Sequence, residues 1–148
     1  MKENCYRNQS VLIVGLGVSG RSAAYFLLGQ GAVVTGIDRD LSVLMSHPEI
    51  ISLITRGLKF ASEDLSCLNE FDLIVMSPGI PPTHPIYQPI KRQNKPVIGE
   101  IELGCRSASR RILGITGTNG KTTVTLLTAH VLNQTNRKAR ALGNVGIP

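Results

Sequence analysis

Val11-Leu12-Ile13-Val14-Gly15-Leu16-Gly17-Val18-Ser19-Gly20 is the stretch that decides the fold. Four consecutive apolar residues are what a parallel strand covered on both faces requires. The run then breaks into glycines spaced G-x-G-x-x-G, followed by a segment able to form an amphipathic helix to about Gln30. Strand, glycine turn and helix in that order form the setting of a nucleotide-binding fingerprint. Gly15 would make the tight turn, Gly17 would admit a phosphate close to the backbone, and Gly20 would let helix and strand approach. Asp38 closes the next apolar run, Ala32 to Ile37, and stands where a ribose-binding acid is expected. A simpler use of these glycines, a tight turn with no ligand, remains open at this point.

Working outward, the alternation of strand and helix continues and predicts an α/β fold with a Rossmann-like parallel sheet. Gly20, Ala24, Leu27 and Leu28 would share the inner face of the first helix, with Gly31 just past its end. A helix over 41–46 is expected, then an interruption at Pro48 and a short strand at 58–60. Phe71 to Met76 reads as another buried strand. Ser77-Pro78-Gly79-Ile80-Pro81-Pro82 forbids continued regular structure, so the chain must turn there. Pro85 would open a helix reaching Gln93. A strand at 96–98 and a helix over 100–108 follow, and Ser107 to Arg110 is the expected boundary between residues 1–109 and 110–148.

Past that boundary the pattern restarts. A strand is predicted over 111–116 and a helix over 120–134 with Val124, Leu127 and Val131 inward, then a strand over 139–142. Between the first two lies Gly114-Ile115-Thr116-Gly117-Thr118-Asn119-Gly120-Lys121-Thr122-Thr123. Glycines here let successive N–H groups turn toward a polyphosphate, and the new helix presents its positive end. A lysine can neutralise terminal phosphate oxygens, and the next hydroxyl can ligate Mg²⁺. The spacing departs from the strict G-x-x-x-x-G-K-[ST] string, because Ile115 stands where the first glycine belongs. The start of a P-loop ATPase domain is therefore expected over 110–148. One diphosphate-holding turn and one ATP-holding loop in a single chain suggest an enzyme that joins a nucleotide-linked substrate to something else.

Composition narrows the partners. The 148 residues carry a net charge of +6, which suits an anionic ligand. The cations are scattered, apart from Arg106/Arg110/Arg111 and Arg137/Lys138/Arg140, and aromatics are 4%, too few for base-stacking platforms, so nucleic acid is not expected. Cys5, Cys67 and Cys105 form no C-x-x-C pair, which fits a reducing cytoplasm. No apolar stretch approaches the ~20 residues needed to span a bilayer. His47, His84 and His130 have no metal-ligand spacing and read as a turn residue, a helix cap and a solvated imidazole. Glu100 and Glu102 are assigned only helix-start electrostatics.

Four segments together, Gly15 to Gly20, Ser77 to Ile80, Gly117 to Thr123 and Gly143-Asn144-Val145-Gly146, resemble the Mur ligases of bacterial cell-wall synthesis. The resemblance covers the whole chain but only the amino-terminal third of such an enzyme. The first two segments favour the D-glutamate-adding branch of the family. The resemblance implies that residues 1–109 bind the UDP part of UDP-N-acetylmuramoyl-L-alanine rather than NAD. Gly17, Val18 and Ser19 would lie against the diphosphate or uridine, and Arg39 would help hold the uracil. Ser77, Pro78 and Gly79 would contact the nucleotide across a crevice, and Asn144 would reach its sugar-phosphate part. Residues 110–148 would begin the ATP-binding domain. There Gly117, Thr118, Asn119, Gly120, Lys121, Thr122 and Thr123 would cradle ATP, with Lys121 on the β/γ oxygens and Thr122 on Mg²⁺. The implied reaction makes an acyl phosphate with ATP and then an amide with D-glutamate, in a monomeric cytoplasmic enzyme. Such a fragment alone is expected to be inactive. The competing readings are an NAD-dependent oxidoreductase domain and a non-catalytic UDP-binding module.

Overall fold

The computed structural model describes residues 5–61 and 68–143, and the chain divides into two compact units, Met1–Ser109 and Arg110–Pro148. In the first unit β1 (Ser10–Val14) is followed by α1 (Val18–Gly29), β2 (Val33–Ile37), α2 (Leu41–Leu44), α3 (Pro48–Thr55) and β3 (Lys59–Phe60). A 3₁₀ turn at Leu68–Glu70 precedes β4 (Leu73–Met76), α4 (Tyr87–Arg92), β5 (Val97–Gly99) and α5 (Glu100–Ser107). The second unit contains α6 (Lys121–Gln134).

All five strands are parallel, in the order β3-β2-β1-β4-β5. This is the Rossmann-like sheet expected from the alternating pattern. The apolar run of β1 explains its central place. Val11 and Ile13 point to one face and Leu12 and Val14 to the other, all at 2% exposure or less. The first pair joins Ala24, Leu27, Ile50, Leu53 and Leu103 from α1, α3 and α5. The second joins Ile37, Ile74, Leu68, Ile86 and Ile90. Each fully buried Leu or Ile contributes roughly 1.5–3 kcal/mol, so a sheet padded on both faces holds the strand ends rigidly.

Several local expectations change. Pro48 does not interrupt a helix but starts one. His47 is its N-cap, and its Nδ1 accepts the Glu49 N–H at 3.3 Å. Proline suits a first helical position because no intrahelical partner awaits its missing N–H. The helix predicted from Pro85 begins instead at Tyr87. A start at Pro85 would require an N–H from Pro89 to reach Pro85; starting at Tyr87 leaves Pro89 in the first turn, where none is needed. On α1 the buried residues are Gly20, Ala23, Ala24 and Leu27, while Leu28 is only partly covered.

In the second unit residues 111–117 form no strand, and Ile112 and Leu113 are 56% and 67% exposed. Residues 139–142 form none either. A parallel strand is stable only between neighbours, and no strand partner exists for them among the described residues. The helix does form, but Val124, Leu127 and Val131 are about half exposed, so its expected inner face is uncovered within this unit.

Candidate functional site: a nucleotide crevice at the switch point

Three of the contacts that shape the glycine turn join it to the end of β2. Leu16 is fully buried and packs on Gly36, where an added Cβ would lie 2.9 Å from Leu16 Cδ1. The Gly15 N–H donates to the Ile37 carbonyl at 2.9 Å, and the Leu16 N–H donates to Asp38 Oδ2 at 2.6 Å. Asp38 Oδ1 also accepts the Asp40 N–H at 3.1 Å. The acid expected on a ribose thus braces the glycine turn through Oδ2 and its own loop through Oδ1. Arg21, a residue to which sequence reasoning assigned no role, adds a clamp. Its Nη1 donates to the Leu16 carbonyl at 3.1 Å and its Nε pairs with Glu49 at the start of α3. The hydrogen bond and charge of Arg21 hold the Glu49 carboxyl below its ordinary value.

The glycines of the turn separate by function. Gly15 has φ +90°, and a Cβ there would sit 2.8 Å from Ser77 Cβ. A Cβ on Gly20 would sit 1.9 Å from the Gly15 carbonyl oxygen, so only glycine allows α1 to meet β1. Gly17 is different: it caps α1 with φ −61°, and an added Cβ would meet nothing within 4 Å. Neither backbone geometry nor packing requires glycine there.

The order β3-β2-β1-β4-β5 reverses direction between β1 and β4, and in open α/β sheets ligands bind outside the carboxyl ends of strands at such a point. A cavity of about 310 Å³ opens there. Gly15 and Gly17 come from the turn, and Ile37, Asp38 and Arg39 from the end of β2. Ser77, Gly79, Ile80 and Pro81 come from the segment after β4, with His84 and Ile86 completing the wall. Gly79, like Gly17, would meet nothing if given a Cβ. Gly29, Gly99, Gly104 and Gly114 are equally open, but of these six glycines it is Gly17 and Gly79 that line the crevice. Its wall therefore combines open main chain, which suits phosphates, with the apolar side chains of Ile37, Ile80, Pro81 and Ile86, which suit a flat base.

Of the residues singled out from the sequence, Gly17, Arg39, Ser77 and Gly79 come together here. Arg39 is at the rim, its side chain 85% exposed and 3.7 Å from Asp40. Val18 and Ser19 lie in the first turn of α1 beside the crevice rather than among its lining, and Val18 is 63% exposed. Pro78 is exposed between Ser77 and Gly79. Asn144 lies outside the described residues. Glu100 has more than helix-start electrostatics: its Oε1 is buried without a hydrogen-bond partner. Burial pushes its carboxyl above the ordinary value, against smaller opposing effects of its own N–H and the Ser77 hydroxyl.

In the second unit Gly120 takes the left-handed conformation, φ +74°, and caps α6. That helix start has no side-chain cap and no acidic residue in its first turn, so its leading N–H groups remain available to an anion. Lys121 folds back over the loop, its Nζ donating to the Gly117 carbonyl at 2.6 Å and the Thr118 carbonyl at 3.3 Å. Thr122 and Thr123 are exposed. The hydroxyl that bonds back along the helix is that of Thr125, to the Lys121 carbonyl at 2.7 Å. Among the described residues no group of three or more His, Cys, Asp or Glu could hold a metal ion. No helix among them is long and apolar enough to cross a membrane.

Residues 9–99 match the family model described as Mur ligase MurD-like, N-terminal domain. The chain belongs to this family. A UDP-N-acetylmuramoylalanine–D-glutamate ligase from Protochlamydia amoebophila is 54% identical over 144 residues, covering 97% of this chain and 32% of that protein. One of the same name from Lactiplantibacillus plantarum is 41% identical over 148 residues, again 97% of this chain and 32% of the relative. The chain thus spans about a third of the length of these curated relatives. Among solved structures, a murein peptide ligase from Psychrobacter arcticus superposes with a TM-score of 0.61 at 20% identity, over 87% of this chain and 27% of that one. That likeness speaks for the fold shared with Mur ligases.

Proposed function

We propose that this chain is the amino-terminal part of an ATP-dependent ligase that adds D-glutamate to UDP-N-acetylmuramoyl-L-alanine in peptidoglycan precursor synthesis. Residues 1–109 hold the UDP moiety in the switch-point crevice, and residues 110–148 begin the ATP-binding domain. The observation that carries this reading is the pair Gly17 and Gly79, two glycines bordering one crevice where a Cβ would meet nothing. Glycine at such positions has a use when a ligand approaches the main chain. The Gly17 end of α1 offers N–H groups and a positive dipole end to the diphosphate, and Ser77 adds a hydroxyl. The apolar wall takes the base, with Arg39 at the rim.

In the second unit the uncapped start of α6 and the main chain from Thr118 to Thr123 would cradle the phosphates of ATP. Lys121 Nζ, now bonded to loop carbonyls, is within reach of an anion placed there. Phosphoryl transfer asks the protein for positioning and charge neutralisation more than covalent help. The exposed Thr122 hydroxyl would be one ligand of a Mg²⁺ ion, the remaining protein ligands being absent from these 148 residues. Bound Mg²⁺ would supply charge neutralisation at the β- and γ-phosphates. Transfer of the γ-phosphoryl group to the alanine carboxylate yields an acyl phosphate, and attack by the D-glutamate amine forms the amide and releases phosphate. We expect the 148 residues alone to bind nucleotide at most weakly and to show no turnover. Thermal unfolding with UDP and with NADH tests the reading by mass action. UDP raises the melting temperature and NADH does not; protection by NADH alone would overturn it. Appreciable phosphate release with all three substrates would contradict the expected inactivity.

A further inference from the structure

The crevice contains a donor that the glycine cradle leaves unassigned. His84 follows the Pro81-Pro82 turn, is half-buried and lines the cavity. Its Nδ1 accepts the Ile86 N–H at 3.3 Å. A ring nitrogen that accepts carries no proton, so the neutral imidazole is held in the tautomer with its hydrogen on Nε2. Nε2 has no hydrogen-bond partner among the described residues, and it is not among the buried polar atoms left unpartnered. The ring is thus fixed on one side and carries an unused donor on the other. Of the other polar side chains of the crevice, Ser77 is assigned to the diphosphate above, and the remaining two are committed or peripheral. Asp38 accepts from two backbone amides, and Arg39 stands exposed beside Asp40.

We propose that His84 is a ligand-contacting residue of the crevice, with its Nε2–H donating to an acceptor oxygen of the bound nucleotide. This rests on the crevice being the UDP site proposed above. The acceptor is a phosphate oxygen or a pyrimidine carbonyl, both of which accept from a neutral imidazole. The turn Pro81–Ile86 thereby becomes the second wall of the nucleotide site, facing the glycine turn. Its register is set by the Nδ1 bond, which leaves the opposite nitrogen free.

Two substitutions separate the nitrogens. His84→Asn keeps an acceptor at the Nδ1 position, since an Asn side-chain oxygen readily accepts from the N–H two residues on, but it removes Nε2. His84→Gln retains a donor near Nε2 and loses the Nδ1 bond. With the full 148-residue chain, calorimetric affinity for UDP and the melting temperature are measured for both variants. His84→Asn is expected to melt with the wild type and to bind UDP about tenfold more weakly, the size of one net hydrogen bond. His84→Gln is expected to melt lower and to bind UDP within about threefold of the wild type. Uridine and pyrophosphate as separate ligands locate the acceptor, because the loss in His84→Asn follows whichever fragment carries it. Wild-type affinity in His84→Asn overturns the inference, as does a loss of affinity that tracks the loss of stability in both variants. Failure of the wild-type chain to bind UDP at all overturns the proposed site, and this inference with it.

Discussion

Adding one methyl group at Gly17 or at Gly20 should give opposite outcomes, although the two residues are three apart on one turn. At Gly20 the new Cβ would lie 1.9 Å from the Gly15 carbonyl oxygen, where ordinary contact begins at 3.4 Å. The obstacle is backbone, not a flexible side chain, so α1 must move off β1 and loosen Ala23, Ala24 and Leu27 in the core. That places Gly20→Ala at or beyond the upper end of overpacking penalties, about 3 kcal/mol. For a domain of this size the melting temperature falls by roughly 12–24 °C. At Gly17 the new Cβ meets nothing, and φ −61° is open to alanine. The fold loses only the difference between glycine and alanine at an N-cap, about 0.5–1 kcal/mol. The methyl group does stand where a diphosphate would approach the helix, so UDP affinity should drop about tenfold or more. Scanning fluorimetry and calorimetry on the 148-residue chain read both quantities. The reasoning fails if Gly17→Ala binds UDP as the wild type does, or if Gly20→Ala melts at the wild-type temperature.

Asp38→Asn replaces one of two accepting oxygens with an NH₂ group facing a backbone N–H, so urea unfolding should show a loss of about 1.5–3 kcal/mol. Glu100 has a raised pKa, so its ionised form is disfavoured in the folded state. Wild-type stability should therefore fall as pH rises from 4.5 through the raised value, while Glu100→Gln does not show this fall. A constant difference between the two proteins from pH 4 to 7 would count against a buried carboxyl. Glu49 has the opposite shift, so the contribution of its pair with Arg21 is present above pH 4.5 and is lost below it. Melting curves of Glu49→Gln should converge on the wild type as the pH drops. Lys121→Ala should weaken ATP protection against unfolding and leave UDP protection unchanged. Equal losses for both nucleotides would argue against separate sites.

The sequence by itself determined the strands of the first unit and the place of its site. Val11 to Val14 and Leu73 to Met76 are apolar throughout, and the segments that follow cannot continue a strand, so turns at the carboxyl ends of β1 and β4 were legible. The helix starts at Pro48 and near Pro85 were not legible, because whether a proline starts or stops a helix depends on which N–H groups its neighbours need. The predicted strand over 111–116 was a local apolar pattern whose realisation requires partners beside it. Only tertiary structure could tell Gly20 from Gly17, since one is defined by contact with the Gly15 carbonyl and the other by empty space. The same holds for Asp38, whose carboxylate is drawn to the Leu16 amide across twenty-two positions, and for Arg21, which reaches Glu49 on another helix. Spacing along the chain records which residues can make a turn; distances between remote residues decide which of them the fold has already used and which it leaves free for a ligand.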